Sequence, residues 1–277
     1  MTQTRTTPVI LTRDEEPNIR RTLESLVAFP RVVVVDSDST DGTEAIARSF
    51  ENVSWFVNRF EGHVQQWRWA LGQTEISTPF VLALDADMSV TPELVAEIEL
   101  VSADDDVGAA LIPVEYRIRG ASLLGSLYPD ELRLLRRSAA TVTAAGHTQK
   151  FATNGRVVKL RNRLVHDDRK SLEAFVNAQL GYSARELPCL YGRKQGTFAA
   201  RARRSVPFTP LAVWGWAWLR AGGPFRGAAA RRYALERLIY EAMLRWRVED
   251  QLMGSGEAGR FKGSDRRDTP EARGGEE

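Results

Sequence analysis

The stretch from Phe80 to Asp87 constrains the fold of this chain more than any other. Its first five residues, Phe-Val-Leu-Ala-Leu, are all apolar, which is typical of a strand covered on both faces of a parallel sheet. The run ends in Asp85 and Asp87, two carboxylates separated by one alanine. Ligands of open α/β sheets bind at the carboxyl ends of the strands, so we expect a binding site here. Two acids so close together repel each other unless a cation or hydrogen-bond donors lie nearby, and a divalent metal that holds a phosphate is the expected occupant.

A second apolar strand also ends in an acid, because four valines from Val32 to Val35 precede Asp36. If the two strands are parallel neighbours, Asp36 and Asp85 lie at one edge of the sheet. Asp36 can accept a hydrogen bond from a base imide or a ribose hydroxyl. A lone aspartate after a strand is usually a turn former or a helix cap, but two such acids after two such strands favour a functional site.

The order of elements indicates the fold class. Strands alternate with helical patterns up to about residue 100, which favours a doubly wound sheet with parallel strands. The next strand-like segments, 109–117, 132–136 and 156–160, have no long helices between them, and a helical pattern follows at 171–187. We therefore predict an α/β fold with a mixed sheet flanked by helices.

Composition narrows the class of protein. The chain has 277 residues, of which 43% are hydrophobic and 27% charged, as in a folded protein with one main domain. A net charge of +2 argues against a nucleic-acid partner. A single cysteine, Cys189, excludes an internal disulfide and favours a reducing compartment such as the cytoplasm. The polar first residues predict no secretory signal, and no apolar run reaches the roughly 18 residues of a membrane span.

The chain divides into three regions. Residues 1–200 have the pattern of the main domain, and residues 201–252 are basic and aromatic. Residues 253–277 are rich in glycine, arginine and acids and almost devoid of large apolar groups, so we expect a disordered tail there. The middle region is predicted to form a helical appendage, with an amphipathic helix at 231–248.

The basic aromatic region has an unusual charge balance, with ten arginines between residues 201 and 247 and only two acids. Trp214, Trp216 and Trp218 lie among the arginines. Tryptophan beside arginine suits the headgroup zone of an anionic membrane, so peripheral attachment to the inner face of the cell membrane is one interpretation. The alternative is that these helices pack on the main domain with their arginines solvated.

Three segments together carry a family resemblance. They are Ile-Leu-Thr-Arg-Asp-Glu-Glu-Pro-Asn-Ile at 10–19, Val-Val-Asp-Ser-Asp-Ser-Thr-Asp-Gly-Thr at 34–43 and Leu-Asp-Ala-Asp at 84–87. In combination they resemble family 2 glycosyltransferases of the GT-A fold, a Rossmann-like mixed sheet. Within that family, the segments 62–71 and 132–137 are similar to those of the lipopolysaccharide-core β-glucosyltransferases. The resemblance covers about residues 8 to 190.

The resemblance implies roles for individual residues. Those around the nucleotide sugar would be Thr12, Glu15, Asp36, Gln66 and Asp85, with Asp85 on the ribose side. Asp87 and His166 would hold a divalent metal, Mn²⁺ or Mg²⁺, that bridges the diphosphate. His166 has a competing interpretation, since the acids after it also suit a polar turn that caps the next helix.

The chain departs from the family at three places. Family members often carry asparagine at the position of Asp14 and glycine at that of Asp38. The subgroup has a Val-His-Glu-like sequence where this chain ends in Gln149, and an amide cannot accept a proton at neutral pH. We therefore expect the base for the acceptor hydroxyl to be His147 or Asp130.

Three functions fit these residues. The resemblance implies an inverting, metal-dependent transfer of a hexose from a nucleotide sugar, UDP-linked in the family, to a glycan or lipid-linked acceptor of envelope polysaccharide or lipopolysaccharide. A haloacid-dehalogenase-like phosphatase would use Asp36 as nucleophile and Asp38 as acid-base, but leaves residues 84–87 unexplained. A non-catalytic module that binds nucleotide sugars stays open because of Gln149.

Overall fold

The main domain begins with alternating strands and helices, as the sequence predicts. The computed structural model describes residues 4–145, 148–191 and 198–264. The first elements are β1 (Thr6–Thr12), α1 (Ile19–Glu24), β2 (Val32–Asp36), α2 (Thr43–Arg48), β3 (Val53–Val57), α3 (His63–Gln73), β4 (Phe80–Asp85), β5 (Met88–Ser89) and α4 (Pro92–Ser102). Helix α4 starts with a cap, because the hydroxyl of Thr91 accepts a hydrogen bond from the Leu94 amide.

The second half of the domain is richer in strands. Its elements are β6 (Val107–Ile112), β7 (Val114–Ile118), β8 (Ala121–Ser122), β9 (Glu131–Arg136), β10 (Ala140–Ala145), β11 (Thr148–Thr153), β12 (Arg156–Lys159) and β13 (Leu164–His166). The single strand expected at 109–117 is wrong: Pro113, which has no amide hydrogen, separates β6 from β7, and the two strands belong to different sheets.

The central sheet is mixed, as expected. Within the described residues it has seven strands in the order β12-β6-β9-β4-β1-β2-β3, and β9 runs antiparallel to both β4 and β6. Strand β2 is buried on both faces, so its valines alternate between two layers. Val32 and Val34 pack with helix α1 on one side, while Val33 and Val35 pack with Trp67 of α3 on the other.

A smaller sheet has the order β5-β13-β7-β8. Strand β13 pairs antiparallel with β5, which sets His166 opposite Met88, and parallel with β7, which sets His166 opposite Tyr116. The short strand β5 follows directly after Asp87. This pairing therefore carries His166 to the carboxyl end of β4. Strands β10 and β11 form a separate hairpin.

The C-terminal region is helical and packs on the main domain. It contains α5 (Leu172–Tyr191), α6 (Phe198–Ser205), α7 (Thr209–Arg220), a 3-10 turn (Gly223–Arg226) and α8 (Gly227–Ser264). Ala217 of α7 and Tyr233 of α8 are buried with Leu123 of the main domain. Helix α8 continues to Ser264, past residue 253, where the sequence predicts a disordered tail; residues 265–277 lie outside the described part. No helix in the described ranges is long and apolar enough to cross a membrane.

Candidate functional site

Three strand ends meet at one edge of the central sheet. Strands β4, β1 and β2 are parallel neighbours, and the register sets Thr12 beside Asp36 and Leu11 beside Asp85. The side chain of Thr12 is buried, and its hydroxyl has no hydrogen-bond partner within the described residues. The two acidic strand ends thus lie on either side of the end of β1, as the apolar runs of the sequence predict.

Asp36 organises the loop that follows β2. It is 2% exposed, and its carboxylate accepts hydrogen bonds from the Ser39 amide at 2.7 Å and from the Ser39 hydroxyl at 2.5 Å. A carboxylate held in this way is a turn former that fixes the start of the loop. It is poorly placed to act as the nucleophile that the phosphatase interpretation requires.

The two departures from the family at residues 14 and 38 have a backbone explanation. Asp14 has a φ of 51° and Asp38 a φ of 58°, both in the left-handed region. Glycine and asparagine enter this region at the lowest cost, which explains their frequency at these positions in the family. The Asp14 carboxylate accepts a hydrogen bond from the Thr40 amide at 2.8 Å, so it ties the loop after β1 to the loop after β2.

Gln66 lies inside the protein and not at the surface where a donor contact was expected. It is 1% exposed, and its amide is engaged on both sides. The Gln66 nitrogen donates to the Ser37 hydroxyl at 3.1 Å, and its oxygen accepts from the Asn58 side chain at 2.7 Å. The side chain therefore connects the loops after β2 and β3, and any effect on the donor passes through them.

Asp87 and His166 form the most distinctive pair of the site. Nε2 of His166 lies 3.4 Å from Oδ2 of Asp87, and the two residues are 8% and 9% exposed. Among the described residues, Oδ1 of Asp87 and Nδ1 of His166 are buried without a hydrogen-bond partner. Buried polar atoms are rarely left unpaired in native proteins, so these two atoms have hydrogen-bonding or coordinating capacity that a ligand or water could use.

Tyr116 packs on the imidazole of His166, and burial disfavours the charged form of the Asp87 carboxylate when no cation is near. The ring of His166 stacks on Tyr116 with centroids 4.5 Å apart and an interplanar angle of 17°. Burial raises the pKa of Asp87 although His166 acts in the opposite direction, and the carboxylates of Asp168 and Asp85 reinforce the rise. A cation at this place would reverse that effect.

The donor set fits a divalent cation that is shared with a substrate. A carboxylate oxygen and an imidazole nitrogen 3.4 Å apart are close enough to bind one ion. Within the described residues, no group of three or more His, Cys, Asp or Glu side chains is arranged to hold a metal. Further ligands would therefore come from water and phosphate oxygens, as is common for Mg²⁺.

The turn that carries the two acids is held from helix α1. The hydroxyl of Thr22 donates to the carbonyl oxygen of Ala86, the residue between the two acids, at 2.6 Å. The Asp167 amide donates to the carbonyl oxygen of Asp87 at 3.1 Å. The middle of the acidic turn and its end at Asp87 are therefore held by other elements.

Asp85 is paired with a buried arginine that sequence reasoning missed. Arg133 of β9 donates to the Asp85 carboxylate at 3.0 Å, to the Tyr128 hydroxyl at 2.8 Å and to the Glu131 carboxylate at 2.9 Å. Its side chain is 2% exposed, whereas that of Asp85 is 40% exposed and reaches solvent. Burial alone would raise the pKa of Asp85, but the charge and hydrogen bond of Arg133 outweigh it and lower the pKa. An arginine within the apolar run of β9 was the available signal.

Glu131 is a second carboxylate of this cluster. Its side chain is 32% exposed and shares the Arg133 guanidinium with Asp85. Burial raises its pKa, opposed by Arg133 and reinforced by the negative charge of Asp85. Asp130, the expected base, is exposed and pairs instead with Lys159 at 2.8 Å. His147, the other expected base, lies outside the described residues.

A partly buried ion pair lies at the start of the loop after β1. Glu15 contacts the ammonium of Lys170 and accepts a hydrogen bond from Asn18 at 2.9 Å. Burial raises the pKa of Glu15 to about 7 although Lys170 acts against it, and Asp87 adds to the rise. Burial opposes the charge of Lys170, but the carboxylates of Glu15 and Asp168 outweigh burial and raise its pKa. Lys170 thus lies among the acids of the candidate site.

A comparison with models of protein families shows what this chain is similar to. Residues 8–127 match the model described as "Glycosyl transferase family 2", and this span includes Thr12, Asp36, Asp85 and Asp87. Over residues 8–127, the chain is similar to a glycosyltransferase family 2 domain. The mixed α/β architecture with its C-terminal helices agrees with the GT-A fold that the resemblance implies, and the phosphatase interpretation is wrong.

Three similar proteins illustrate the relationship. The chain is 32% identical over 141 residues to the lipopolysaccharide core biosynthesis glycosyltransferase LpsC of Rhizobium meliloti (strain 1021), covering 46% of this chain and 49% of LpsC. It is 27% identical over 202 residues to an uncharacterized glycosyltransferase of Rickettsia typhi, covering 68% of each. A crystal structure of S. aureus TarS 1–349 in complex with UDP-GlcNAc aligns with a TM-score of 0.44 and 16% identity, over 90% of this chain and 92% of that one. The chain thus spans about half the length of LpsC.

Proposed function

We propose that the chain is a glycosyltransferase that moves a hexose from a nucleotide sugar, UDP-linked as in the family it resembles, to a glycan or lipid-linked acceptor. The observation that carries this proposal is the edge of the central sheet where Asp36, Asp85 and Asp87 follow the two strands, β2 and β4, that flank β1. The similarity to LpsC supports an acceptor in lipopolysaccharide or envelope polysaccharide biosynthesis.

The proposed reaction is a single displacement with inversion. The oxygen of an acceptor hydroxyl forms a bond to the anomeric carbon as the bond from that carbon to the diphosphate breaks. The nucleoside diphosphate leaves with the electron pair, and the hydroxyl proton passes to a base. Asp87 and His166 would hold Mn²⁺ or Mg²⁺, which neutralises charge on the diphosphate when bound.

Two positively charged side chains, Arg133 and Lys170, support the build-up of negative charge at this edge of the sheet during the reaction. Arg133 keeps Asp85 ionised, so that its exposed carboxylate is ready to accept hydrogen bonds from ribose or sugar hydroxyls. Lys170 brings a buried positive charge close to Asp87 and Asp168. Both cations are fixed before substrate arrives, which is the arrangement that stabilises developing negative charge most effectively.

For the base, we propose Glu131 ahead of Asp130 and His147. Glu131 lies in the same cluster as the sugar-facing Asp85, because one guanidinium contacts both carboxylates. Its raised pKa brings it toward the range in which a carboxylate accepts a proton at neutral pH. Asp130 is solvated and neutralised by Lys159 outside this cluster.

The proposed location is the cytoplasm, at the inner face of the cell membrane. A single cysteine suits a reducing compartment, and a lipid-linked acceptor would be presented at a membrane surface.

The experiment that tests the function is calorimetric titration of the protein with a set of nucleotide sugars, with Mn²⁺ or Mg²⁺ present or absent, followed by a measurement of nucleoside diphosphate release with candidate acceptors. Metal-dependent binding with turnover supports the proposal. Binding with no turnover on any lipid-linked or glycan acceptor supports the non-catalytic alternative. No binding of any nucleotide sugar contradicts both.

A further inference from the structure

One face of helix α7 is apolar and exposed. Its large exposed side chains continue into the 3-10 turn and form a row that we call the aromatic row. The members are Phe208, Leu211, Trp216, Leu219 and Phe225, with exposed fractions of 70%, 57%, 58%, 61% and 89%. The spacing of the first four residues sets them on one side of the helix. Ala217 and Ala221, on the opposite side, are buried against α8.

The positive charges beside the row are unpaired. Arg220 ends α7, Arg226 follows Phe225, and Arg231 lies in the first turns of α8; all three are exposed. Within the described residues, none of the three has an acidic partner. Three other arginines of the region, Arg203, Arg232 and Arg245, each pair with a glutamate. Arg220, Arg226 and Arg231 therefore leave positive charge without an acidic partner in the segment at the end of the aromatic row.

An exposed apolar row beside positive charges favours one kind of binding partner. Exposed apolar groups in a continuous row are rare on soluble surfaces and mark an interaction site. Aromatic rings and leucines enter the boundary between lipid headgroups and chains, while arginines beside them bind lipid phosphates. We propose that the aromatic row and its three arginines dock the protein onto an anionic lipid bilayer.

Helix α7, which carries the aromatic row on its exposed face, is connected to His166 through its buried face. Tyr233 of α8 shares a buried cluster with Ala217 of α7, and its ring lies 5.1 Å from that of Tyr116. The same Tyr116 ring stacks on His166. A bilayer bound at the aromatic row would therefore hold the site in a fixed relation to the membrane. This consequence for a lipid-linked acceptor rests on the proposed function, whereas binding to lipid does not.

The test uses the full chain and sedimentation with phosphatidylcholine vesicles that contain or lack phosphatidylglycerol. We expect the protein to sediment with the anionic vesicles. The variant Leu211→Glu/Phe225→Glu should lower the partition coefficient at least about tenfold, because two charges replace groups that enter the bilayer. Arg220→Gln/Arg226→Gln should lower it about threefold or more and reduce its dependence on salt.

A matched control separates this effect from a general loss of apolar surface. Leu100 of α4 is 74% exposed and distant in sequence from the row, so Leu100→Glu should bind vesicles like the unchanged protein. Failure of the unchanged protein to sediment, or equal sedimentation of the Leu211→Glu/Phe225→Glu variant, overturns the proposal. A dimer in solution that this variant dissociates would also overturn it, since a second copy would then cover the row. Nucleotide-sugar binding, measured in the same preparations, reports separately on the proposed function.

Discussion

His166 lies 3.4 Å from Asp87 although the two residues are far apart in the chain. The contact exists because β13 pairs antiparallel with the two-residue strand β5, which begins immediately after Asp87. The backbone hydrogen bond from Asp167 to Asp87 fixes the same approach. The metal-ligand role proposed for this pair therefore depends on the two-residue strand β5. Substitutions in β5 should weaken metal binding more than they lower the stability of the fold.

Replacement of Asp87 should separate binding from stability. Asp87→Asn removes a charged donor atom, so metal-dependent binding of the nucleotide sugar should weaken by at least about 100-fold in calorimetry. Because burial raises the pKa of Asp87, the amide should leave the metal-free fold unchanged or more stable in urea. The exposed Asp106→Asn serves as control. Equal donor affinity in the Asp87→Asn variant and the unchanged protein would contradict the assignment.

Among the residues of the site, Arg133 should lower the stability of the protein most when it is replaced. Arg133→Met leaves two carboxylates without their shared cation, and the free energy of unfolding should fall by about 2 to 3 kcal/mol. The loss stays below that of a fully buried pair because the Asp85 side chain is 40% exposed. Urea unfolding of the variant measures the change. The surface variant Arg117→Gln, which breaks a partly exposed pair with Glu115, should lose less than about 1 kcal/mol.

Asp38 offers a test of the backbone explanation. Its φ of 58° is costly for a residue with a side chain, so Asp38→Gly should raise the free energy of unfolding by about 0.5 to 1 kcal/mol. Asp38→Ala removes the same carboxylate but keeps the strain, and should not stabilise the protein. If both variants change stability equally, then the charge and not the backbone sets the preference at this position.

Glu15 should make stability depend on pH. Its pKa is about 7 in the folded protein and near 4.5 in an unfolded chain, so between these values the folded state binds more protons. Stability should therefore fall as pH rises through this window, by up to about 3 kcal/mol. Glu15→Gln should remove that part of the slope in urea unfolding at several pH values, whereas Glu24→Gln on the exposed side of α1 should keep it. A slope that is the same in all three proteins would show that Glu15 is not responsible.

Glu131 and Asp130 can be distinguished by kinetics. Glu131→Gln should lower kcat by at least about 100-fold with little change in donor affinity, as expected for loss of a general base. Asp130→Asn should retain most of the activity, because Asp130 is paired with Lys159 in solvent. In the plot of kcat against pH, the fall in kcat at low pH should disappear only in the Glu131→Gln variant. The opposite ranking of the two variants would return the role to Asp130.

The acidic ends of β2 and β4 were predictable because they follow apolar runs whose pattern permits one structure, a strand buried on both faces. The contacts between residues on different elements of the site were not predictable. Arg133 reaches Asp85 because β9 inserts antiparallel beside β4, and sequence periodicity does not fix the order of strands in a mixed sheet. The inward position of Gln66 was missed for a similar reason, since a polar residue at the start of a helix gives no sign of which loops it will connect. Pro113 was a visible signal of the break between β6 and β7.

The ring of Tyr116 lies between His166 and Tyr233, which joins the catalytic half of the chain to the long terminal helix. A truncation at residue 200 would remove Tyr233 and uncover Tyr116 and Leu123, so the ring that stacks on His166 would lose its own packing partner. We therefore expect the proposed activity to need more of the chain than residues 8–127, and versions that end before α8 should lose it because His166 is held less firmly, even with every acidic ligand in place.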